Sequence, residues 1–183
     1  DLSYSFLSTV TTAFKMAYPD VKTVIQEPNM NEDDRSAFLA AFAPEPSESL
    51  VGFGILGGIF SEGIDLTANR LIGVGIVSVG LPGLSTENDL LRDYFDSQGE
   101  PGFDYAYQLP GLNHVLQAAG RLIRSASDHG VILLMDQRFA SQRYTRYFPP
   151  HWQYHRVLHT ANELAPTIEQ FWEMTAKTDK KEH

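Results

Sequence analysis

The sequence predicts an α/β domain with a mainly parallel sheet and helices on both faces. Short runs of β-branched or apolar residues alternate with longer segments of helical periodicity along most of the 183 residues. The runs in the middle of the chain are apolar throughout, as expected of strands whose two faces are covered. Turns rich in glycine or proline separate these segments, and the sequence has no internal repeat.

The first part of the chain is predicted to contain two helices and two strands. Apolar residues at helical spacing follow Ser3, which is a suitable N-cap for the first helix. Asn31 or Asn29 is expected to cap the second helix. The predicted elements, in chain order, are the helix Leu2–Tyr18, the strand Val21–Gln26, the helix Asn31–Phe42 and the strand Leu50–Leu56.

The remainder of the chain continues this alternation. Pro110 is expected to kink or restart the longest helix, because proline cannot donate a backbone hydrogen bond. The final residues, Thr178–His183, are expected to be frayed. The predicted elements are the buried strand Leu71–Val79, the helix Ser85–Phe95, the exposed loop Ser97–Phe103, the helix Asp104–Ser125, the strand Val131–Met135, and the helices Gln137–Tyr147 and Leu164–Met174.

Composition limits the classes of protein to consider. No apolar run is long enough to span a membrane, no signal-peptide pattern opens the chain, and the absence of cysteine excludes disulfides and thiolate metal sites. We therefore expect an intracellular, cytoplasmic protein. The formal charge of −9 (14 basic against 23 acidic residues) opposes tight nucleic-acid binding by this chain alone. A local basic strip could still form around Arg138, Arg143 and Arg146.

Three histidines, His151, His155 and His159, are spaced so that a helix would place them on one face. Two of them and a third ligand could bind zinc. Pro149 and Pro150 open this segment, however, and no nearby carboxylate could orient the imidazoles. The pattern therefore favours a surface cluster without a metal.

The segment Asn113–Arg124 is the clearest candidate for a functional helix. On a helix, Gln117, Arg121 and Arg124 fall within roughly 60° of arc, and Gly120, which costs about 1 kcal/mol relative to alanine, shares this region. Two guanidinium groups on adjacent turns repel each other unless an anion or carboxylate lies between them, and phosphate suits bidentate arginine. The residues alone leave open a solvated basic face with a packing glycine. The opposite face is apolar and comprises Leu112, Val115, Leu116, Ala119, Leu122 and Ile123.

Two motifs in this chain resemble those of a helicase family. Gln117-x-x-Gly120-Arg121-x-x-Arg124 resembles motif VI of superfamily 2 helicases, and its context resembles the XPD/DinG branch. The upstream stretch Gly57–Leu66, with its Ser-Glu-Gly-Ile-Asp core, resembles motif V of that branch. Without the resemblance, it could be only a glycine-rich turn with an acidic helix start. The two motifs occur in the family's order, which makes the resemblance specific.

The resemblance implies a three-layer RecA-like (P-loop NTPase-type) domain. It covers about residues 1–152, which would form the second motor domain of a helicase, while residues 153–183 would form a helical extension and frayed tail. Leu2–Ser5 would sit at motif IV, directly after the domain's first strand. We therefore expect that this chain lacks that strand.

The resemblance also implies roles for individual residues. Arg121 and Arg124 would act on the ATP phosphates, one of them as an arginine finger, and the remaining nucleotide-binding residues would be Gly63, Asp65, Gln117 and Gly120. DNA would be contacted by Ser3, Tyr4, Ser61 and Glu62. For Ser3 and Tyr4, a helix cap followed by a packed aromatic residue is an equally good interpretation.

The chain contains neither a GxxxxGK[ST] loop nor a DExH box. In the family, the first RecA-like domain carries both, and ATP with Mg²⁺ binds between the two domains. Many relatives also hold an iron–sulfur cluster there, on cysteines that this chain lacks. The resemblance thus implies half an active site, in a monomeric fragment that is inactive alone. The whole enzyme would be a DNA helicase moving 5′→3′ on single-stranded DNA, in DNA repair and at the bacterial nucleoid.

Two other hypotheses remain at this stage. The chain could be a non-catalytic interaction module that recruits a repair or replication protein through its acidic surface and the loop Ser97–Phe103. An independent nucleotide-binding enzyme is disfavoured, because the chain has no phosphate-binding loop.

Overall fold

The computed structural model describes residues 2–44, 46–57, 70–122 and 128–179. The chain divides into two compact units, Asp1–Leu133 and Leu134–His183. In the described part of the chain, no helix has both the length and the apolar character needed to cross a lipid bilayer.

Helices and strands alternate along the first unit, as the sequence predicts. The strand β4 begins in this unit and ends in the second. In chain order the elements are α1 (Leu2–Ala17), β1 (Lys22–Ile25), α2 (Glu32–Ala40), β2 (Leu50–Phe53), β3 (Gly73–Val77), α3 (Thr86–Ser97), a π-helical turn (Asp104–Gln108), α4 (Leu109–Ala119) and β4 (Val131–Met135).

The strands form two pairs. β1 and β2 are parallel, in a register that runs from Lys22 opposite Leu50 to Ile25 opposite Phe53. β3 is the neighbour of β4, and the N–H of Val131 donates to the carbonyl of Ile72 at 3.1 Å. The predicted α/β class is confirmed, with parallel pairing between β1 and β2. The full three-layer RecA-like arrangement stays a prediction.

A small aromatic core covers the first pair of strands. Phe38 and Phe42 are buried with ring centroids 5.9 Å apart. A β-carbon at Gly52 would lie 2.5 Å from the ring of Phe42, so the glycine in β2 lets that ring approach the strand. Partly buried apolar side chains complete this core: Val24, Met30, Leu39, Leu50 and Leu71.

The sequence predicts the start of α2 correctly and the start of α1 incorrectly. Asn31 caps α2 through a reciprocal pair of hydrogen bonds with Asp34, of 2.9 and 3.1 Å. Asn29 is instead left-handed, with a φ of 61°. The predicted N-cap role of Ser3 is wrong, because α1 already begins at Leu2 and Ser3 lies in its first turn.

The structure differs from the predictions in the burial of β3 and in the length of the loop after α3. The predicted fully buried strand is wrong, since Ile76 is buried while Val77 in β3 is 46% exposed. Among the described elements, α4 contacts β3. The predicted loop Ser97–Phe103 is shorter, because α3 extends through Ser97 and a new helical turn begins at Gly102.

The predicted helical segment Asp104–Ser125 is wrong in its extent, but the restart predicted at Pro110 is confirmed. A π-helical turn precedes α4, and Pro110 lies in the first turn of α4, where its missing N–H is not needed. The helix ends at Ala119, with Gly120 as its C-cap. Beyond it, the N–H of Arg121 bonds to the carbonyl three residues earlier, at 3.3 Å, so the backbone tightens.

The second unit is built mainly from short helical turns and one long helix. The predicted helix Gln137–Tyr147 is wrong because Ser141 is extended (φ −84°, ψ 146°) and divides it in two. The long helix was predicted correctly and extends beyond Met174, while residues 180–183 lie outside the described part. The elements are the 3₁₀ turns Gln137–Ala140, Pro150–Trp152 and Ala161–Glu163 and the helices α5 (Gln142–Thr145) and α6 (Leu164–Asp179).

Candidate functional site

The chain turns sharply after β2 and β3, and α4 packs against both turns. Gly57 and Gly80 have φ values of 87° and 65°, which glycine adopts without steric cost. A β-carbon built on Gly57 would lie 3.8 Å from the imidazole of His114 in α4. Gly57 opens the motif V-like stretch, so the structure places the start of one predicted motif beside the helix that carries the other.

Close backbone contact holds α4 at the end of β3. A β-carbon on Gly111 would lie 2.8 Å from the carbonyl oxygen of Gly80 and 2.9 Å from that of Val79. Val79 is itself fully buried. The absence of a side chain at Gly111 therefore lets the helix lie directly on the turn after β3, at the edge where ligands bind in open α/β sheets.

The C-terminal end of α4 presents polar groups away from the core. Gln117 and Gly120 are exposed and Arg121 is half-buried. The predicted apolar face is confirmed over the described residues: Leu112, Val115, Ala119 and Leu122 are buried and Leu116 is half-buried. A guanidinium just beyond a helix C-terminus also complements the negative end of the helix dipole.

Several residues of the predicted site fall outside the described part of the chain, and so does Ile123 on the apolar face. Their predicted roles therefore stay predictions. They are Ser61, Glu62, Gly63, Asp65 and Arg124.

Ser3 and Tyr4 lie in the first turn of α1. Ser3 is exposed and Tyr4 is half-buried. The Tyr4 hydroxyl donates to the carbonyl of Glu27 at 3.5 Å and accepts from Nε2 of Gln26 at 3.3 Å. The geometry supports the interpretation of Tyr4 as a packed aromatic residue, with its hydroxyl tied to the segment after β1.

Gln26 is a structural residue that the sequence analysis did not identify. Its side chain is buried, and its Oε1 accepts the N–H of Ile55 at 2.9 Å. Its own N–H donates to the carbonyl of Phe53 at 2.8 Å. Gln26 thus links α1 to the segment that runs from β2 to Gly57. The available signal was a glutamine directly after a β-branched strand.

Arg70 holds the chain where it leaves the motif V-like stretch. Its Nε and Nη2 donate to the carbonyls of Phe42 and Leu39, at 2.7 and 3.2 Å. These carbonyls lie at the C-terminal end of α2, where a cation is favoured. The described residues on both sides of the stretch are therefore anchored.

A polar network joins α3 to the π-helical turn. The Tyr107 hydroxyl donates to Asp89 Oδ1 at 2.8 Å, and Arg92 pairs with the same carboxylate at 3.0 Å. Burial raises the pKa of the Tyr107 hydroxyl, and the hydrogen bond to Asp89 raises it further. Asp104 and Gln108 are also buried in this turn, an element common near functional sites. The network fixes the orientation of α3.

The three histidines of the second unit do not share a helix face. His151 lies in a 3₁₀ turn, and the region of His155 and His159 has no helical structure. Nδ1 of His155 is 2.9 Å from the carbonyl of Trp152. Within residues 2–44, 46–57, 70–122 and 128–179, no three His, Cys, Asp or Glu side chains are placed to hold a metal ion.

Comparison with known proteins identifies relatives of this chain. The ATP-dependent DNA helicase chl-1 of Caenorhabditis elegans is 30% identical over 103 residues, covering 55% of this chain and 12% of that protein. The probable ATP-dependent helicase MJ0942 of Methanocaldococcus jannaschii is 31% identical over 105 residues, 52% of this chain and 16% of that protein. The ATP-dependent DNA helicase DinG of Photobacterium profundum is 33% identical over 89 residues, 48% of this chain and 13% of that protein.

The chain thus spans less than a fifth of the length of these relatives. Residues 2–155 match the protein family described as "Helicase C-terminal domain". This match covers most of the chain and includes both stretches that resemble helicase motifs. The chain therefore belongs to the helicase C-terminal domain family, in its XPD/DinG-type branch.

Proposed function

We propose that this chain is the second RecA-like motor domain, residues 1–152, of an ATP-dependent DNA helicase. Residues 153–183 form its C-terminal extension. Family membership supports the proposal, and so do relatives named as ATP-dependent DNA helicases. The observation that carries it is the placement of Gly57, which opens the motif V-like stretch, against the helix that ends in Gln117, Gly120 and Arg121.

The guanidinium of Arg121, rather than the C-terminal end of α4 itself, would attract an anionic ligand such as the phosphates of ATP. Gln117 offers an exposed amide, Gly120 adds no side chain, and Arg121 offers a guanidinium at the same end of the helix. Arg124 would add a second guanidinium, and Gly63 and Asp65 would complete the contribution of this chain. ATP with Mg²⁺, when bound, supplies the phosphoryl group that is transferred.

The role of this chain in hydrolysis is electrostatic. Arg121 or Arg124 stabilises the charge that develops on the transferred phosphoryl group, as an arginine finger does. The phosphate-binding loop and the magnesium ligands come from a first RecA-like domain of the same protein, since neither signature occurs in this sequence. The chain alone is therefore inactive, and an iron–sulfur cluster could be bound only by the first domain.

Single-stranded DNA is the proposed substrate, with 5′→3′ movement and a role in DNA repair. Ser3, Ser61 and Glu62 are the proposed contacts in the first unit, whereas the hydroxyl of Tyr4 is already bonded to Glu27 and Gln26. Within the second unit, the stretch between Asp136 and Glu163 has four arginines, three histidines and no acidic residue. Exposed aromatic rings accompany it: Arg146 lies 4.6 Å from the ring centroid of Tyr147, and Tyr154 is 85% exposed. Basic groups interleaved with exposed aromatics are typical of single-strand binding.

ATP hydrolysis by the full-length protein tests this proposal. Arg121→Ala and Arg124→Ala are measured with and without single-stranded DNA, and Arg35→Ala, an exposed arginine of α2, is the control. We expect the finger variant to lose about 10³-fold or more in rate, because a positive charge at the transition state is removed. Circular dichroism should show unchanged folding.

Two outcomes would contradict the proposal. Near-normal hydrolysis in both variants would remove the arginine-finger assignment. Hydrolysis by the 183-residue chain alone would show that it contains a complete active site rather than half of one.

A further inference from the structure

The helix α3 directs some of its polar side chains toward the rest of the first unit, although Asp93 and Glu87 are exposed. Asp89 accepts from Tyr107, and Arg92 pairs with Asp89 and with Asp93 at 3.0 and 2.9 Å. Asp96 accepts the N–H of Gly102 at 2.9 Å. The side of α3 that contacts the rest of the first unit therefore combines the charged groups of Asp89 and Arg92 with the ring of Phe95, whereas an ordinary surface helix packs a purely apolar face.

Three apolar side chains of α3 face outward instead, while Phe95 faces the rest of the unit and stacks on Tyr105. Leu90, Leu91 and Tyr94 are 65%, 41% and 59% exposed, and no residue of this helix is buried. Tyr94 follows Leu90 by four positions and Leu91 by three, so the three side chains lie on one side of the helix. Leu84, just before the helix, is 88% exposed. We call these four residues the α3 face.

Packing prevents α3 from rotating to bury this face. The ring of Phe95 stacks on Tyr105, with centroids 4.3 Å apart and planes at 16°. Gly102 approaches so closely that a β-carbon there would collide with the carbonyl oxygen of Arg92. The observed orientation therefore uses specific contacts, and rotation would break them together with the Asp89 network.

The surroundings of the α3 face are acidic. From Leu84 to Asp104 the sequence has six carboxylates and a single cation, Arg92, which is already paired with two of those carboxylates. Glu87 and Glu100 are exposed near the two ends of α3. An apolar patch bordered by negative charge favours a ligand that is apolar in its centre and positive at its edges.

We propose that the α3 face binds a basic amphipathic helix of a partner protein, one that presents leucine or aromatic side chains at i, i+3, i+4 and i+7 between lysines or arginines. Nucleic acid and anionic membranes are disfavoured, because both would meet the acidic border with like charge. A second copy of this chain would likewise bring two acidic borders together. The proposal does not depend on the ATP site.

Binding of a synthetic peptide to the full-length protein tests the proposal. The probe is a fluorescent helical peptide with leucines at i, i+3, i+4 and i+7 and lysines elsewhere, and anisotropy reports its Kd. We expect Leu90→Ser to raise the Kd at least tenfold, because an anchor at the centre of the interface is lost while every charge is kept. Met16→Ser, which changes a side chain that is 81% exposed on α1, is the matched control and should bind normally.

Charge is tested separately. Glu87→Gln should weaken binding and make it less sensitive to salt, since one attractive charge is removed. A peptide with glutamate in place of lysine should not bind. ATP hydrolysis should be the same in Leu90→Ser and in the unaltered protein, which separates this proposal from the function proposed for α4.

Three results would overturn the proposal. The first is equal peptide affinity in Leu90→Ser and Met16→Ser. The second is concentration-dependent self-association of the full-length protein that Leu90→Ser abolishes, which would identify a second copy as the occupant. The third is stronger protection of α3 from hydrogen exchange, in the full-length protein without peptide, than its helical hydrogen bonds alone would give. Such protection would show that another domain already covers the α3 face.

Discussion

Gln26 and Tyr4 are joined by a hydrogen bond of 3.3 Å from the buried amide to the phenol hydroxyl. The same amide accepts the N–H of Ile55 at 2.9 Å. One side chain therefore connects the first turn of α1, where DNA contacts are proposed, to the segment that leads into the motif V-like stretch. No local sequence pattern requires these three segments to meet.

Replacement of Gln26 by alanine should destabilise this chain by about 1–3 kcal/mol, because the Ile55 N–H loses its partner in a site with little access to water. Urea denaturation measures the change. Gln98→Ala removes an exposed glutamine at the end of α3 and should change stability by less than about 0.5 kcal/mol. Equal effects of the two substitutions would show that the Gln26 bridge does not contribute to stability.

Gly111→Ala should lower the melting temperature, because the new methyl group would lie 2.8 Å from the Gly80 carbonyl oxygen and α4 would have to shift. Strain of this kind costs about 1–3 kcal/mol. Gly83→Ala is the matched control, since a β-carbon there meets no atom within 4 Å. If the two variants melt alike, the close contact of α4 with the end of β3 is not a determinant of stability.

Asp136→Asn should destabilise the chain in a pH-dependent way. Arg138 donates from Nε and Nη2 to the two carboxylate oxygens at 2.9 and 2.7 Å and thereby lowers the pKa of Asp136. A pKa that is lower in the folded state stabilises the fold above the unfolded value of about 3.9, and this contribution is lost as pH falls through the folded value.

The free energy of unfolding should therefore differ between Asp136→Asn and the unaltered chain near about pH 7. The difference should begin to shrink below about pH 3.9 and disappear only as the pH falls through the lowered pKa of folded Asp136. The difference should not exceed about 1 kcal/mol, because the Arg138 side chain is substantially exposed. Asp20→Asn changes an exposed carboxylate and is the control. A difference that persists unchanged at low pH would contradict the assigned role of the ion pair.

The sequence predicted correctly those features that depend on residues close together in the chain, such as helix caps. Asn31, one of two candidate caps, predicted the start of α2, and the helix predicted from Ser85 begins at the next residue, because Asn31 and Ser85 both cap backbone only three residues away. The apolar spacing of α4 also predicted its buried face correctly. The prediction of one helix over Gln137–Tyr147 was wrong, because helical spacing of the residues does not reveal that Ser141 is extended and interrupts it.

The sequence by itself determined two things about this protein. Two motifs with specific spacing and order determined its family, and the pattern of apolar residues determined the alternation of strands and helices. Only the tertiary structure decided which polar groups meet. The contact between Gly80 and Gly111, the bridge through Gln26 and the outward leucines of α3 each join or orient segments far apart in the chain. The energies of these contacts come from packing and hydrogen bonds between distant segments, so the local sequence around any one residue does not predict them.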